Sequence, residues 1–269
     1  MSSPISQPTV LTIAGSDSGG GAGVQADLKT FAAHDIYGVS AITAITAQNT
    51  LGVTAIDPVA CPIVRAQITT VLADFDVKTI KTGMLVNAEI VDAVCGSLEA
   101  YPAPPLVIDP VMIATSGDRL LDKAAVTLIR TRLLERARVV TPNRIEAEVL
   151  AGLKIESLED ARRATSCIRA HGASAVVITG CHFDGIQMID LLDDDGTIVE
   201  FSGPRIKSRS THGTGCTFAA SIAAELARDT PLIEAVRNAK RYVEAAIQHA
   251  EPLGHGQGPV NHFWRNERQ

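Results

Sequence analysis

At 269 residues, with 46% apolar and 20% charged side chains, the chain can bury a sizeable core and is too ordinary in composition to be disordered or fibrous. Its net charge of -6, the lack of any basic cluster and an aromatic content of only 4% exclude the charged and stacking surfaces that nucleic acids or anionic lipids need. No apolar run reaches the roughly 18 residues that span a bilayer, and residues 1–6 lack the basic start and apolar block of a signal peptide. A single domain over residues 1–269, located in the cytoplasm with no membrane partner, is therefore expected.

Short β-branched runs alternate with segments of helical period, the pattern of a mostly parallel sheet covered by helices on both faces. A strand over residues 10–13 leads into a helix marked by Val24, Leu28 and Phe31. A strand over 41–46 is followed by Val64, Ile68, Val71 and Leu72 on one helix face, and a strand over 79–82 by Ile90, Val94 and Leu98. Strands at 106–108 and 139–141 flank a helix beginning near Asp122; another helix begins near Ser157 before a strand at 175–179. Most of these strands are continuously apolar, as burial on both faces requires. Runs at 187–192 and 197–201 surround Asp193-Asp194-Asp195-Gly196, which reads as a solvated hairpin turn because Asp-Gly suits a tight reversal. Helices then start near Thr214 and near Thr230, where Thr230 is expected as N-cap and Pro231 as the first helical residue. The cysteines at 61, 95, 167, 181 and 216 form no CxxC pair and read as reduced thiols; all but Cys216 are expected to be core residues.

The chemistry concentrates in the connections. Gly15-Ser16-Asp17-Ser18-Gly19-Gly20-Gly21-Ala22-Gly23 joins the first strand to the first helix and lets the backbone approach a ligand closely. It fits neither the P-loop nor the dinucleotide fingerprint. Gly213, Thr214, Gly215 and Cys216 stand at the start of the helix containing Phe218, Ile222 and Leu226, so their amides form an anion site suited to a transferring phosphoryl group. A cysteine in a first helical turn is favoured as thiolate, which gives Cys216 the alternatives of base, nucleophile or inert thiol. Asn143 and Glu146 are spaced as a capping box, or Glu146 helps hold Mg²⁺ through water. Asp109 ends a buried strand, where α/β sheets place ligands, and also precedes a proline as turn-forming aspartates do. Of the seven histidines, only His212 falls inside a candidate site.

Taken in order, these segments resemble the hydroxymethylpyrimidine/phosphomethylpyrimidine kinases of thiamine biosynthesis, in the ribokinase-like superfamily. The likeness covers nearly the whole chain, through Leu11-Thr12-Ile13-Ala14-Gly15-Ser16-Asp17, Ala47-Gln48-Asn49-Thr50, Gly83-Met84-Leu85, Asp109-Pro110-Val111-Met112, Ser116-Gly117-Asp118, Thr141-Pro142-Asn143, the segment at 211–217 and Gly254-His255-Gly256-Gln257-Gly258-Pro259. It implies a three-layer α/β sandwich and transfer of the ATP γ-phosphoryl to 4-amino-5-hydroxymethyl-2-methylpyrimidine and then to its monophosphate. It assigns Gln48, Asp27, Met84 and Val111 to the pyrimidine, and Gly213, Thr214, Gly215 and Cys216 to the anion hole, with Cys216 at the base position. Asp109, Asn143 and Thr211 are assigned to nucleotide and phosphate, and Glu146 with Asp109 to Mg²⁺. A homodimer without an appended synthase domain is expected. Thr179-Gly180-Cys181-His182 stands where many members have Lys-Gly-Gly-His. Pyridoxal kinase is the nearest alternative, set aside because Ala47-Gln48-Asn49-Thr50 is intact; a non-catalytic dinucleotide-binding protein is the other.

Overall fold

The computed structural model describes residues 7–101, 104–113, 120–182 and 187–266; Ser116-Gly117-Asp118 lies outside them. Nine strands form one sheet in the order β3-β2-β1-β4-β5-β6-β7-β8-β9. They are β1 (Thr9–Asp17), β2 (Tyr37–Asn49), β3 (Gly52–Pro58), β4 (Val77–Thr82), β5 (Leu106–Ile108), β6 (Ala137–Val140), β7 (Ala175–Cys181), β8 (Gln187–Asp194) and β9 (Thr197–Pro204). Pairings from β2 through β7 are parallel, while β3, β8 and β9 are antiparallel additions at the two edges.

Between them run α1 (Gly23–Ala33), α2 (Cys61–Asp74), α3 (Ala88–Glu99), α4 (Lys123–Leu128), α5 (Arg144–Ala151), α6 (Leu158–Arg169), α7 (Thr214–Leu226) and α8 (Leu232–Gln248). Asn87, Asp122, Asn143 and Ser157 cap α3, α4, α5 and α6 through their side chains, each satisfying an amide that the helix leaves unpaired. One core joins Val64, Ile68, Ile90, Val94, Ala147 and Ile168 to one sheet face. A second joins Phe31, Phe218, Ile222 and Val236 to the other. The expected three-layer arrangement is present. No helix among the described residues is long and apolar enough to cross a membrane.

Three local expectations are corrected. The acidic turn is solvated only at its tip, where the Asp195 side chain is 92% exposed: Asp193 is 1% exposed, Arg169 pairs with Asp193 and Asp195, and Arg138 with Asp194. Its reversal is still a two-residue turn, with positive φ at Asp195 and Gly196, the twist that such hairpins need. At α8 the cap is Pro231, and the Thr230 hydroxyl donates to Glu225 instead. Cys61 and Cys167 are half-buried, leaving only Cys95 and Cys181 in the core. Strand β3, unpredicted, is an edge strand with mostly exposed residues, so it needed no apolar face that a sequence could display.

Candidate active site

The chain leaves β1 in one direction toward β2 and later returns on its other side through β4. That reversal leaves a crevice at the carboxyl ends of β1, β4, β5 and β6, where open α/β sheets bind ligands. A cavity of about 310 Å³ occupies it, lined among others by Gln48, Met84, Asp109, Val111, Asn143, Glu146 and the run Gly213 to Cys216. A second cavity of about 940 Å³ holds Thr211, Arg209, Lys240 and Phe218, and shares Thr179, Thr214 and Gly215 with the first. Two ligands can therefore meet across the start of α7.

Two glycine loops build this junction. Gly213 adopts φ +80°, and a Cβ there would come within 1.8 Å of the Gly21 carbonyl oxygen; only glycine lets the loops touch. Gly213 offers no side chain to cap α7, and the Thr214 amide makes only a long bond to the Thr211 carbonyl at 3.4 Å, so the start of the helix can turn amides to an anion. The first loop is organised by Asp17. Its carboxylate accepts the N–H groups of Gly19, Gly21 and Ala22 and the His212 Nε2–H at 2.8 Å. Burial pushes this carboxyl up, but those donors outweigh it and hold the pKa below the ordinary aspartate value.

Beneath the loops lies a polar cluster that sequence reading missed. Lys81, one residue before the carboxyl end of β4, is wholly buried, with Nζ 2.9 Å from Asp27 and 3.7 Å from Asp109. Burial disfavours its charge, yet Asp27, Cys216 and Asp109 together keep the ammonium above the usual lysine range. Asp27 is 0% exposed and accepts the Thr12 hydroxyl at 2.6 Å. It lines neither cavity, so its assigned contact with the pyrimidine is replaced by a partnership with Lys81. Gln48, Met84 and Val111 do line the first cavity.

Cys216 faces Lys81, Asp109 and Asp27, and burial raises its thiol well above the ordinary value despite the pull of Lys81 and the Gly23 amide. The first-turn position therefore does not by itself deliver a thiolate. Asn143 and Glu146 form the capping box, and the other Glu146 oxygen accepts the Met112 amide at 3.2 Å. Burial and the neighbouring Asp109 push the Glu146 carboxyl up to about 8. Asp109 is itself raised by burial against the pull of Lys81, and among the described residues its Oδ2 has no hydrogen-bond donor, only Lys81 Nζ at 3.7 Å. An orphaned carboxylate oxygen near a second buried carboxyl fits a hard cation. No group of three or more metal-ligating side chains occurs among the described residues, so phosphate and water oxygens would complete the coordination.

The Glu146 shift carries a prediction. In metal-free buffer the folded state binds this proton more tightly than the unfolded chain, so stability is fully present below 4.5 and is lost as pH rises toward about 8. Glu146→Gln, which cannot ionise, should flatten that window in thermal melts at stepped pH. Parallel slopes for the two proteins would contradict the assignment.

A family model described as phosphomethylpyrimidine kinase matches residues 17–261. A hydroxymethylpyrimidine/phosphomethylpyrimidine kinase of Rhizobium meliloti is 51% identical over 95% of this chain and 97% of its own. The Bacillus subtilis enzyme of that name is 43% identical over 94% of each. Among solved structures, an ADP complex of Bacillus subtilis pyridoxal kinase superposes with TM-score 0.90 at 36% identity, over 98% of this chain and 100% of that one. A phosphomethylpyrimidine kinase from Clostridium difficile gives TM-score 0.80 at 39% identity, over 90% and 100% respectively.

Proposed function

The chain belongs to the phosphomethylpyrimidine kinase family, and from that premise we propose that it transfers the ATP γ-phosphoryl to 4-amino-5-hydroxymethyl-2-methylpyrimidine and then to the monophosphate so formed. The observation that carries this reading is the meeting of two cavities at Thr179, Thr214 and Gly215. The smaller one offers Gln48 and apolar walls for a ring. The larger suits a nucleotide, and a Staphylococcus aureus pyridoxal kinase of TM-score 0.89 is solved with an ATP analogue and with ADP.

In this mechanism Gln48 pairs with the aminopyrimidine edge, since a side-chain amide offers both donors and an acceptor. Met84 and Val111 enclose the ring. The amides at Gly213, Thr214 and Gly215 receive charge that develops on the transferring group. Asn143 and Thr211 border the phosphates. Asp109 and Glu146 would hold Mg²⁺ through water, and the cation would neutralise phosphate charge. The thiolate form of Cys216, the minor form at neutrality because burial raises the thiol, takes the proton of the acceptor oxygen. For the assembly we propose a homodimer in the cytoplasm, in which a second copy covers Ile45 and Leu51, 57% and 67% exposed on the β2–β3 hairpin; sedimentation at stepped concentration tests it.

Nucleotide-release assays with the pyrimidine, its monophosphate and pyridoxal decide the acceptor. The structural likeness to pyridoxal kinases keeps pyridoxal as the second reading, which wins if it is the only acceptor turned over. Gln48→Leu should keep the fold and weaken pyrimidine binding about tenfold to a hundredfold, because polar edges of the ligand are left unpaired. Titration calorimetry showing an unchanged pyrimidine Kd removes Gln48 from the site.

A further inference from the structure

His212 is 8% exposed, and its Nε2 lies 2.8 Å from Asp17 Oδ2 and 3.4 Å from Gln48 Nε2. Asp17 is acceptor-only, so the imidazole must present Nε2–H to it. With that nitrogen committed as a donor, no lone pair remains there for the Gln48 amide. The Gln48 Oε1 accepts the Thr46 hydroxyl at 3.1 Å, and the imidazole packs against the NH₂ group at 3.4 Å, so the ring and Thr46 together leave the amide hydrogens to an acceptor inside the cavity.

The backbone of His212 is fixed as firmly. Its N–H donates to the Gly258 carbonyl at 2.9 Å, and the Gln257 N–H donates to Thr50 O at 2.8 Å. The Gly256 N–H donates to the Thr50 hydroxyl at 3.2 Å, and a Cβ on Gly256 would come within 1.9 Å of Thr50 O. Thr50 stands two residues after Gln48. One imidazole thus touches the carboxylate that orders the first glycine loop, the amide of Gln48 and, through its own chain, the loop that opens α7.

We propose that His212 is a positioning residue that sets acceptor specificity: held by Asp17, it orients the Gln48 amide so that its donors face the substrate ring. This rests on the reading that the smaller cavity takes an aminopyrimidine. His212 touches no reacting atom in this arrangement and acts through Gln48.

The test is a double-mutant cycle of His212→Leu and Gln48→Leu, with His212→Gln as the conservative variant. Asp17 keeps three backbone donors without the imidazole, so the loop should still fold, which thermal melts check. His212→Leu is expected to raise the pyrimidine KM about tenfold, the scale of one misplaced hydrogen bond. The nucleotide KM should stay within about twofold, and in the Gln48→Leu background the second substitution should add less than about twofold, as coupled residues do. His212→Gln, which restores an N–H toward Asp17, should recover most of the loss. An unchanged pyrimidine KM in His212→Leu overturns the proposal. So do losses that multiply in the double variant, or a nucleotide KM that rises in step. A wild-type protein that turns over no aminopyrimidine removes the functional reading itself, whereas a normal wild-type rate with any of those results removes only the role of His212.

Discussion

Lys81→Met is expected to cost roughly 3–5 kcal/mol of folding stability, the scale found when one partner of a buried ion pair is removed. The Lys81 side chain is wholly enclosed beside Asp27, also wholly enclosed, so the variant strands a carboxylate with no water to solvate it. The Thr12 hydroxyl alone remains on Asp27. Neutralising the stranded charge should reverse much of the loss: Lys81→Met with Asp27→Asn should be more stable than Lys81→Met alone, since asparagine still accepts from Thr12. Chemical denaturation of the wild type, both single variants and the double variant measures the coupling. A Lys81→Met cost below about 1 kcal/mol would mean that Lys81 and Asp27 do not form an ionised pair.

Much of the frame was legible because parallel strands buried on both faces must be apolar throughout, and the helices between them show one apolar stripe each. The glycine runs at 19–23 and 213–215 announced close backbone approach, and the approach of Gly213 to Gly21 is the contact they permit. What stayed hidden depends on partners remote in sequence. Lys81 and Asp27 are 54 positions apart, and His212 and Asp17 are 195 apart; neither pairing leaves a local pattern. A lone lysine in a strand ordinarily reads as exposed, and the segment 79–82, in which Ile80 is the one apolar residue, gave no hint of burial. Asp27 was placed near the ring because resemblance aligns residues along the chain without giving depth, and it lies one layer below. Asn143 and Glu146 show the opposite case. Their spacing announced the capping box, which the structure contains, while the metal role depends on the distant Asp109.

Cys216→Ser is expected to lower turnover by about 10²–10⁴-fold, the usual contribution of a positioned general base, with little change in either substrate affinity. The thiol is raised well above its ordinary value by burial and by Asp109 and Asp27, with Lys81 pulling the other way, so the deprotonated fraction grows as pH increases. Wild-type kcat should therefore climb about tenfold per pH unit from neutrality toward the thiol pKa, whereas the serine variant, with no group titrating there, should lack that limb. Alkylation gives an independent reading. Bound pyrimidine should shield Cys216, which lines the smaller cavity. Cys95 and Cys181, 1% and 0% exposed, should react slowest because a reagent cannot reach them, whereas Cys216, also raised by burial, opens on the cavity. The half-buried Cys61 and Cys167 provide the internal comparison. Equal turnover of wild type and Cys216→Ser at every pH would remove the thiol from the proton path. The α7 amides and the carboxylate-held cation would then have to account for catalysis, which a loose phosphoryl-transfer transition state permits because the acceptor proton leaves late.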